Sequence, residues 1–467
     1  MSILDGSSSN SALIKTAAVA VLAAAPLYFA VKAQTENRLL PPGPPGDLIG
    51  GNFYQMGDQP QHAFKKWREQ YGPVFTLRLG AKRVIVVSDP FLLKDIVTNP
   101  AFNDRPQDMF LGNILLGGLP TLTHHTDFKF KAFRKIVQAT LIRSALMKYA
   151  CNFETETTQF LESMISNGLN EEVSVKPPIH RYSFSMILSI LFGHSMNDFD
   201  NEFMHEFFSN TDQIFLLAGA ATDKLAFFPL LGLLPDPNVS KAKEVRQRGS
   251  AFIAQMMDLT QKKMSAAQND SANINGNENM SVMELIIRNP SMITDVDRPA
   301  LINMFNNLTV GAVDTVSIAI QWCFAFLAKF PETQSKIHAE LDAVVGRDRL
   351  PNLDDEPNLH YLNAFLRETQ RVRPVSATAV PRIVLTTQTW GGYTIPAGTW
   401  LMFDFHGLGR NEASYGKDVE NFRPERYLSD SDGQFLKGLD SFNKNASEGL
   451  TSHPRGFSFG RRVCPGK

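Results

Sequence analysis

Cysteine is scarce in this chain: Cys151, Cys323 and Cys464 are the only three in 467 residues. With no C-x-x-C pair among them, a disulfide framework, a zinc ribbon and a C-x-x-C-H attachment site are excluded. Net charge is lacking too. The 46 Lys and Arg against 47 Asp and Glu leave a formal charge of −1, so bulk electrostatics draws the chain neither to nucleic acid nor to anionic lipid. No G-x-G-x-x-G element occurs, which excludes a built-in flavin or nicotinamide unit of that type. Tryptophan (4) and tyrosine (9) are few, whereas phenylalanine reaches 34 copies. A Phe-rich core and a Phe-lined pocket for an apolar molecule both fit that excess.

Long hydrophobic runs are also few. Between Lys15 and Lys32 lies an uncharged stretch, TAAVAVLAAAPLYFAV. With Ala12–Ile14 added and Lys15 snorkelling, it reaches the ~20 residues that a bilayer core requires. It reads as a membrane anchor or a cleaved signal peptide. The stiff RLLPPGPPG at Arg38–Gly46 favours the anchor, because its prolines force the chain out of a helix. The expected division is therefore an anchor over 1–33, a proline-rich hinge over 34–50 and one folded domain over 51–467. Leu301–Phe330 is long enough to span a bilayer, but Asn303, Asn306, Asn307, Asp314 and Gln321 make it a poor lipid-facing helix.

Beyond the hinge there is no internal repeat and no interdomain linker. Phe75–Pro90 reads as a β-hairpin around Gly80-Ala81-Lys82. Helical periodicity follows at Phe128–Leu146, Arg181–Phe192, Ser240–Met264, Leu301–Lys329 and Pro331–Val345. Ala266–Asn279, rich in Asn, Ser and Gly, reads as a loop. Short strands return at Arg382–Leu385 and Gly392–Ile395. The fold class is mainly α with a minor β-sheet drawn from both ends of the chain, which argues for one large domain.

The tail, GFSFGRRVCPGK, places Phe457, Gly460, Arg462, Cys464 and Gly466 in the pattern F-x-x-G-x-R-x-C-x-G. Such a turn presents one thiolate to an iron: the glycines let a flat cofactor approach, and the arginine lowers the thiol's pKa and can pair with a carboxylate. Cys151 and Cys323 have no such surroundings and are expected to be buried thiols. Elsewhere, Glu368 and Arg371 form E-x-x-R in FLRETQRVRP. The run FRPERY (Phe422–Tyr427) contains Arg426, and VGAVDTVS contains Gly311, Ala312, Asp314 and Thr315.

Together with PPGPPG after an apolar segment, these motifs resemble the eukaryotic microsomal cytochromes P-450, haem-thiolate monooxygenases, over essentially the whole chain. AFFPLLGLLPDP (Ala226–Pro237) resembles fungal secondary-metabolism members. The resemblance implies the P-450 fold and haem b with Cys464 as axial ligand of its iron. It also implies a structural triad of Glu368, Arg371 and Arg426. Arg462 is the first candidate for the haem carboxylates, with Arg134 and Arg382 behind it. Family members usually carry Trp-x-x-x-Arg where this chain has Phe130 and Arg134, so one N–H donor is missing. The alternative reading of Arg134 and Lys135 is a solvated basic face, which could also meet an acidic redox partner.

Asp314 is the expected proton source and Thr315 the short-range donor; a hydroxyl bonded to the carbonyl one turn back is the other reading of Thr315. The implied reaction inserts one atom of dioxygen into an apolar organic substrate. Electrons come from NADPH through a separate flavoprotein reductase, at the endoplasmic reticulum membrane, single-pass, with a cytosolic catalytic domain and no nucleic-acid partner. The rivals are an isomerase or dehydratase of the same fold, which needs no reductase, and an inactive haem-binding membrane protein. Family members continue beyond the cysteine loop into a further helix and hairpin, so a truncated, weakly haem-binding product is a further expectation.

Overall fold

The two ends of the chain meet in one sheet. The computed structural model describes residues 39–117, 128–141, 143–168, 172, 174–198, 201–219, 224–269, 280–293, 296–429, 433 and 455–466. The anchor expected over 1–33 and the start of the hinge lie outside them. Strands β1 (Val74–Leu79) and β2 (Lys82–Val87) form the expected hairpin. Its turn holds Gly80 at φ +56, where an added Cβ would lie 2.3 Å from the Phe227 carbonyl oxygen. Only glycine meets both demands there. A further strand, β3 (Arg382–Ile383), is followed by the small ladder of β4 (Gln388–Trp390) and β5 (Tyr393–Ile395), and then by β6 (Trp400–Phe403). β2 pairs in parallel with β6, and β6 antiparallel with β3, giving the order β1-β2-β6-β3. Val84–Val87 and Trp400–Phe403 are buried on both faces, as a covered parallel pair demands.

The rest is helical. The described helices that frame the site are α1 (Pro60–Tyr71), α2 (Phe110–Leu116), α3 (Phe128–Leu141), α4 (Ala150–Gly168), α5 (Lys176–Phe192), α6 (Asn201–Ala218), α7 (Pro237–Asn269), α8 (Val282–Arg288), α9 (Arg298–Lys329), α10 (Pro331–Val344) and α11 (His360–Val372). α9 is the axis. Asp297 caps it by accepting the Ala300 N–H at 2.8 Å, and α5 packs along it. By length and composition α9 could cross a membrane. Its buried Asn306, Asn307 and Phe305 instead make it a core helix. The phenylalanine excess goes into this core: Phe184 stacks on Phe207 at 4.0 Å between centroids, and Phe192 meets Phe305 at 4.9 Å.

Three expectations need correction. α7 runs on through Asn269, so Ala266–Asn269 are helical; Ala266, Ala267 and Gln268 are good helix formers, and the breaker Gly276 comes later. α5 begins at Lys176 rather than Arg181, because Pro177 and Pro178 suit a first turn. Cys151 is exposed, not buried, since the first turn of α4 turns that position outward. Cys323 is partly buried, and burial pushes its thiol up to about 11.

Candidate active site

On α11, positions three apart share a face, so Glu368 and Arg371 meet. Arg371 grips both carboxylate oxygens at 2.7 Å, and Arg426 Nε adds a third bond to Glu368 Oε1 at 3.0 Å. All three residues are buried. The remaining Arg371 donors reach the carbonyls of Gly409 (2.8 Å), Val419 (2.7 Å) and Asn421 (2.9 Å). Such a network rigidifies the region because every member has a partner. α11 has no capping side chain of its own. The Glu340 carboxylate on α10 accepts the N–H groups of Tyr361 (2.7 Å) and Leu362 (2.9 Å) instead.

The cysteine loop is tight. The Cys464 N–H donates to the Phe457 carbonyl at 2.7 Å, and the Val463 N–H to that of Gly460 at 3.0 Å. Phe457 itself is partly exposed. Ser458, at φ 60, is the one non-glycine in the left-handed region among the described residues, so the loop carries backbone strain of the kind found at functional sites. Gly460, at φ +59, lies where a Cβ would meet Val97 Cγ1 at 2.9 Å. Cys464 is exposed on one side. Protein crowding on the other raises its thiol, opposed by the Gly466 N–H and the Arg134 charge.

The loop rests against cations. Arg134 on α3 donates to the Val463 carbonyl at 2.8 Å, which fixes the residue before the cysteine; Lys131 and Lys135 on the same helix are exposed. Arg462 lies 4.2 Å over the Phe130 ring, donates to the Asn103 carbonyl at 2.8 Å and pairs loosely with Asp104 at 3.7 Å. Phe130 thus seats a guanidinium where an indole N–H was expected. Arg382, wholly buried, donates to the Phe459 carbonyl at 2.7 Å and to Asn103 Oδ1 at 3.3 Å. Burial, then the Arg462 charge, lowers it to about 9.

Sequence reasoning missed a third buried arginine. Arg105 donates to the carbonyls of Val380 (2.5 Å) and Pro381 (2.9 Å). Burial, then Arg382, then Arg462, pulls it well below the usual arginine range. The signal available was the polar run Asn103-Asp104-Arg105 directly after a buried Phe102. The Nε atoms of Arg105 and Arg382 are buried without a protein partner. Among the described residues the one carboxylate ion-paired with these three buried guanidiniums is Asp104, at 3.7 Å from Arg462, and such an excess of buried positive charge forms a cradle for an anion.

On α9, Gly311, Thr315 and Val316 form an exposed stripe, and a Cβ on Gly311 would meet nothing within 4 Å. The Thr315 hydroxyl donates to the Gly311 carbonyl at 2.7 Å. Asp314, ~100° round the helix, does not share that stripe. It is partly buried, and burial, then Asp212, with Lys176 in opposition, brings its carboxyl up to about 6.

Comparison with known proteins gives these features their context. The family model described as Cytochrome P-450 matches residues 41–467. A cytochrome P-450 monooxygenase of Armillaria gallica is 27% identical over 91% of this chain and 78% of its own length. The cytochrome P-450 monooxygenase atE of Aspergillus terreus is 26% identical over 99% and 84%. A cytochrome P-450 of Arabidopsis thaliana is 27% identical over 91% and 83%. The chain belongs to the cytochrome P-450 family and is a monooxygenase, whose class uses haem on a cysteine thiolate, a redox partner, an organic substrate and dioxygen. The described residues suit haem: one loop thiol lies beside buried arginines with unpaired donors, matching a flat group that carries carboxylates.

Proposed function

We propose that Cys464 is the axial thiolate of haem b, and that Arg382, Arg462 and Arg105 hold the haem carboxylates while Arg134 steadies the loop through Val463. When bound, the haem supplies dioxygen activation, which the thiolate's electron donation assists. Asp314, with its carboxyl near 6, holds a proton available close to neutral pH. The Thr315 hydroxyl, on the open stripe beside Gly311, passes protons over the last short distance and excludes bulk water from that step. The reaction is oxygen insertion into an organic substrate of largely apolar surface, with electrons from NADPH through a separate flavoprotein reductase. The exposed Lys131 and Lys135 on α3 suit an acidic docking face on that reductase.

We place the enzyme at the endoplasmic reticulum membrane, single-pass, with the domain in the cytosol. The uncharged segment between Lys15 and Lys32 supports this reading. So does an exposed apolar patch that joins the hinge to the 224–234 segment: Leu48 is 93% and Leu230 81% exposed, with Tyr54 against Phe228 at 6.5 Å.

The observation that carries the assignment is the Cys464 loop bonded onto a buried arginine cradle. The ferrous–CO spectrum tests it. The thiolate-type red-shifted band is expected in the wild type, in Cys151→Ala and in Cys323→Ala, and absent in Cys464→Ala. Survival of the band in Cys464→Ala removes the assignment.

A further inference from the structure

Four helices converge in a separate apolar cluster. Leu111 and Leu115 of α2, Ile214 and Leu217 of α6, and Val310 of α9 pack with the start of α7 in one apolar cluster. At its edge lies one polar point. Gly117, the left-handed C-cap of α2 at φ +70, lies where an added Cβ would be 2.9 Å from Arg246 Nη2 and 3.0 Å from Asn303 Nδ2. A guanidinium from α7 and an amide N–H₂ from α9 therefore meet beside the same glycine. Arg246 is partly buried and makes no ion pair among the described residues. One turn along α9, Asn307 donates to the Asn303 carbonyl at 3.0 Å, which ties that stretch of helix. A guanidinium without an ion pair among the described residues, an amide N–H₂ and an apolar wall make a site that is complementary to one anionic oxygen group on an otherwise apolar molecule.

We infer that Arg246 and Asn303 recognise a carboxylate on the substrate and so orient its apolar remainder along α9. This deepens the proposed monooxygenase reading and rests on it. On α9 the rise from Asn303 to Gly311 is roughly 12 Å at 1.5 Å per residue. That span suits a substrate whose oxidised carbon lies several bonds away from its acid group. The class is an apolar carboxylic acid rather than a neutral hydrocarbon. Gly117 is part of the device, because any side chain there would displace the guanidinium.

The probes are the straight-chain alkanoates from octanoate to hexadecanoate, each paired with its methyl ester and titrated into the haem-loaded full chain. The readout is the ligand-induced shift of the haem absorption band. At least one acid should bind on the order of tenfold to a hundredfold tighter than its ester, the range of a charge-assisted hydrogen bond. Arg246→Gln and, independently, Gly117→Ala should abolish that preference while ester affinity changes little. Arg246→Lys should retain part of it. Each variant is checked by its ferrous–CO band. A wild type that has that band but no acid preference in any pair overturns the inference. Should Arg246→Gln fail to retain haem, the wild-type comparison and Arg246→Lys still decide. Absence of the band in the wild type refutes the haem-thiolate reading instead, so the two failures are distinguishable.

Discussion

Arg382 donates to the carbonyl of Phe459 across 2.7 Å, from a side chain with no solvent exposure. The bond ties strand β3 to the strained turn that carries Cys464, so sheet and ligand loop hold each other in place. Arg382→Met should leave that carbonyl with only the longer 3.3 Å bond from the Arg462 N–H and remove a donor from the cradle. Each charge-assisted bond lost is worth ~1.5–3 kcal/mol. Haem per chain, measured by pigment extraction, should fall well below the wild type; full occupancy would exclude Arg382 from the cradle.

Glu368→Gln should be among the most damaging single changes. It strips the counter-charge from Arg371 and leaves Arg426 only the longer pair with Asp418 at 3.3 Å, and breaking such a buried network from one side costs ~3–5 kcal/mol. The denaturant midpoint should drop sharply. A variant as stable as the wild type would mean that the surrounding carbonyls and Asp418 suffice for the two arginines.

Thr315→Ala should keep the haem spectrum and lose coupling. Among the described residues the hydroxyl touches only the Gly311 and Ala312 carbonyls of its own helix, so the fold tolerates its removal, whereas water gains access to the open stripe. Product per NADPH should fall and hydrogen peroxide should rise. Unchanged coupling removes Thr315 from the mechanism.

Asp314 gives a pH signature. Its ordinary value is 3.8 and its folded value about 6. Below the first, both folded and unfolded chains are protonated. Between the two, the folded chain alone keeps the proton, so stability falls as pH rises through that window and stays lower above it. Asp314→Asn should flatten this slope. The check is denaturation midpoints at intervals from pH 4.5 to 7.5; parallel curves for both proteins would contradict it.

Deleting Met1–Gln34 should release only part of the protein from membranes, because the patch around Leu48 and Leu230 remains. Adding Leu230→Asp and Leu234→Asp to the deletion should complete the release in a sedimentation assay with the haem spectrum intact. If the double change adds nothing, the patch does not touch lipid.

Motifs whose partners lie close in sequence were readable in advance. Glu368 and Arg371 are three apart on one helix, and the Cys464 turn is defined within ten residues. The hairpin and the main helices followed from periodicity. What escaped depends on convergence. Arg105 matters because Arg382 and Arg462 arrive beside it from distant segments. Arg246 matters because Gly117 and Asn303 do. For Asp314 and Thr315 the sequence named the two residues but not their settings: neighbours are ~100° apart on a helix, so Thr315 lies on the open stripe and Asp314 is partly buried beside it. Cys151 was misjudged because cysteine's general preference for burial says nothing about which side of a helix a given position takes.

The parallel pairing of Val84 with Trp400 and Val87 with Phe403 has a temporal consequence. A ribosome delivers the β1–β2 hairpin long before its partner strand exists. Through most of translation, therefore, the edge of β2 waits unpaired and exposes backbone donors and acceptors to other nascent chains. The arginine cradle cannot close until Arg382 and Arg462 emerge. Haem capture consequently waits until Arg382 and Arg462 have both emerged, and cellular yield should depend on chaperone capacity and haem supply more than on initiation rate.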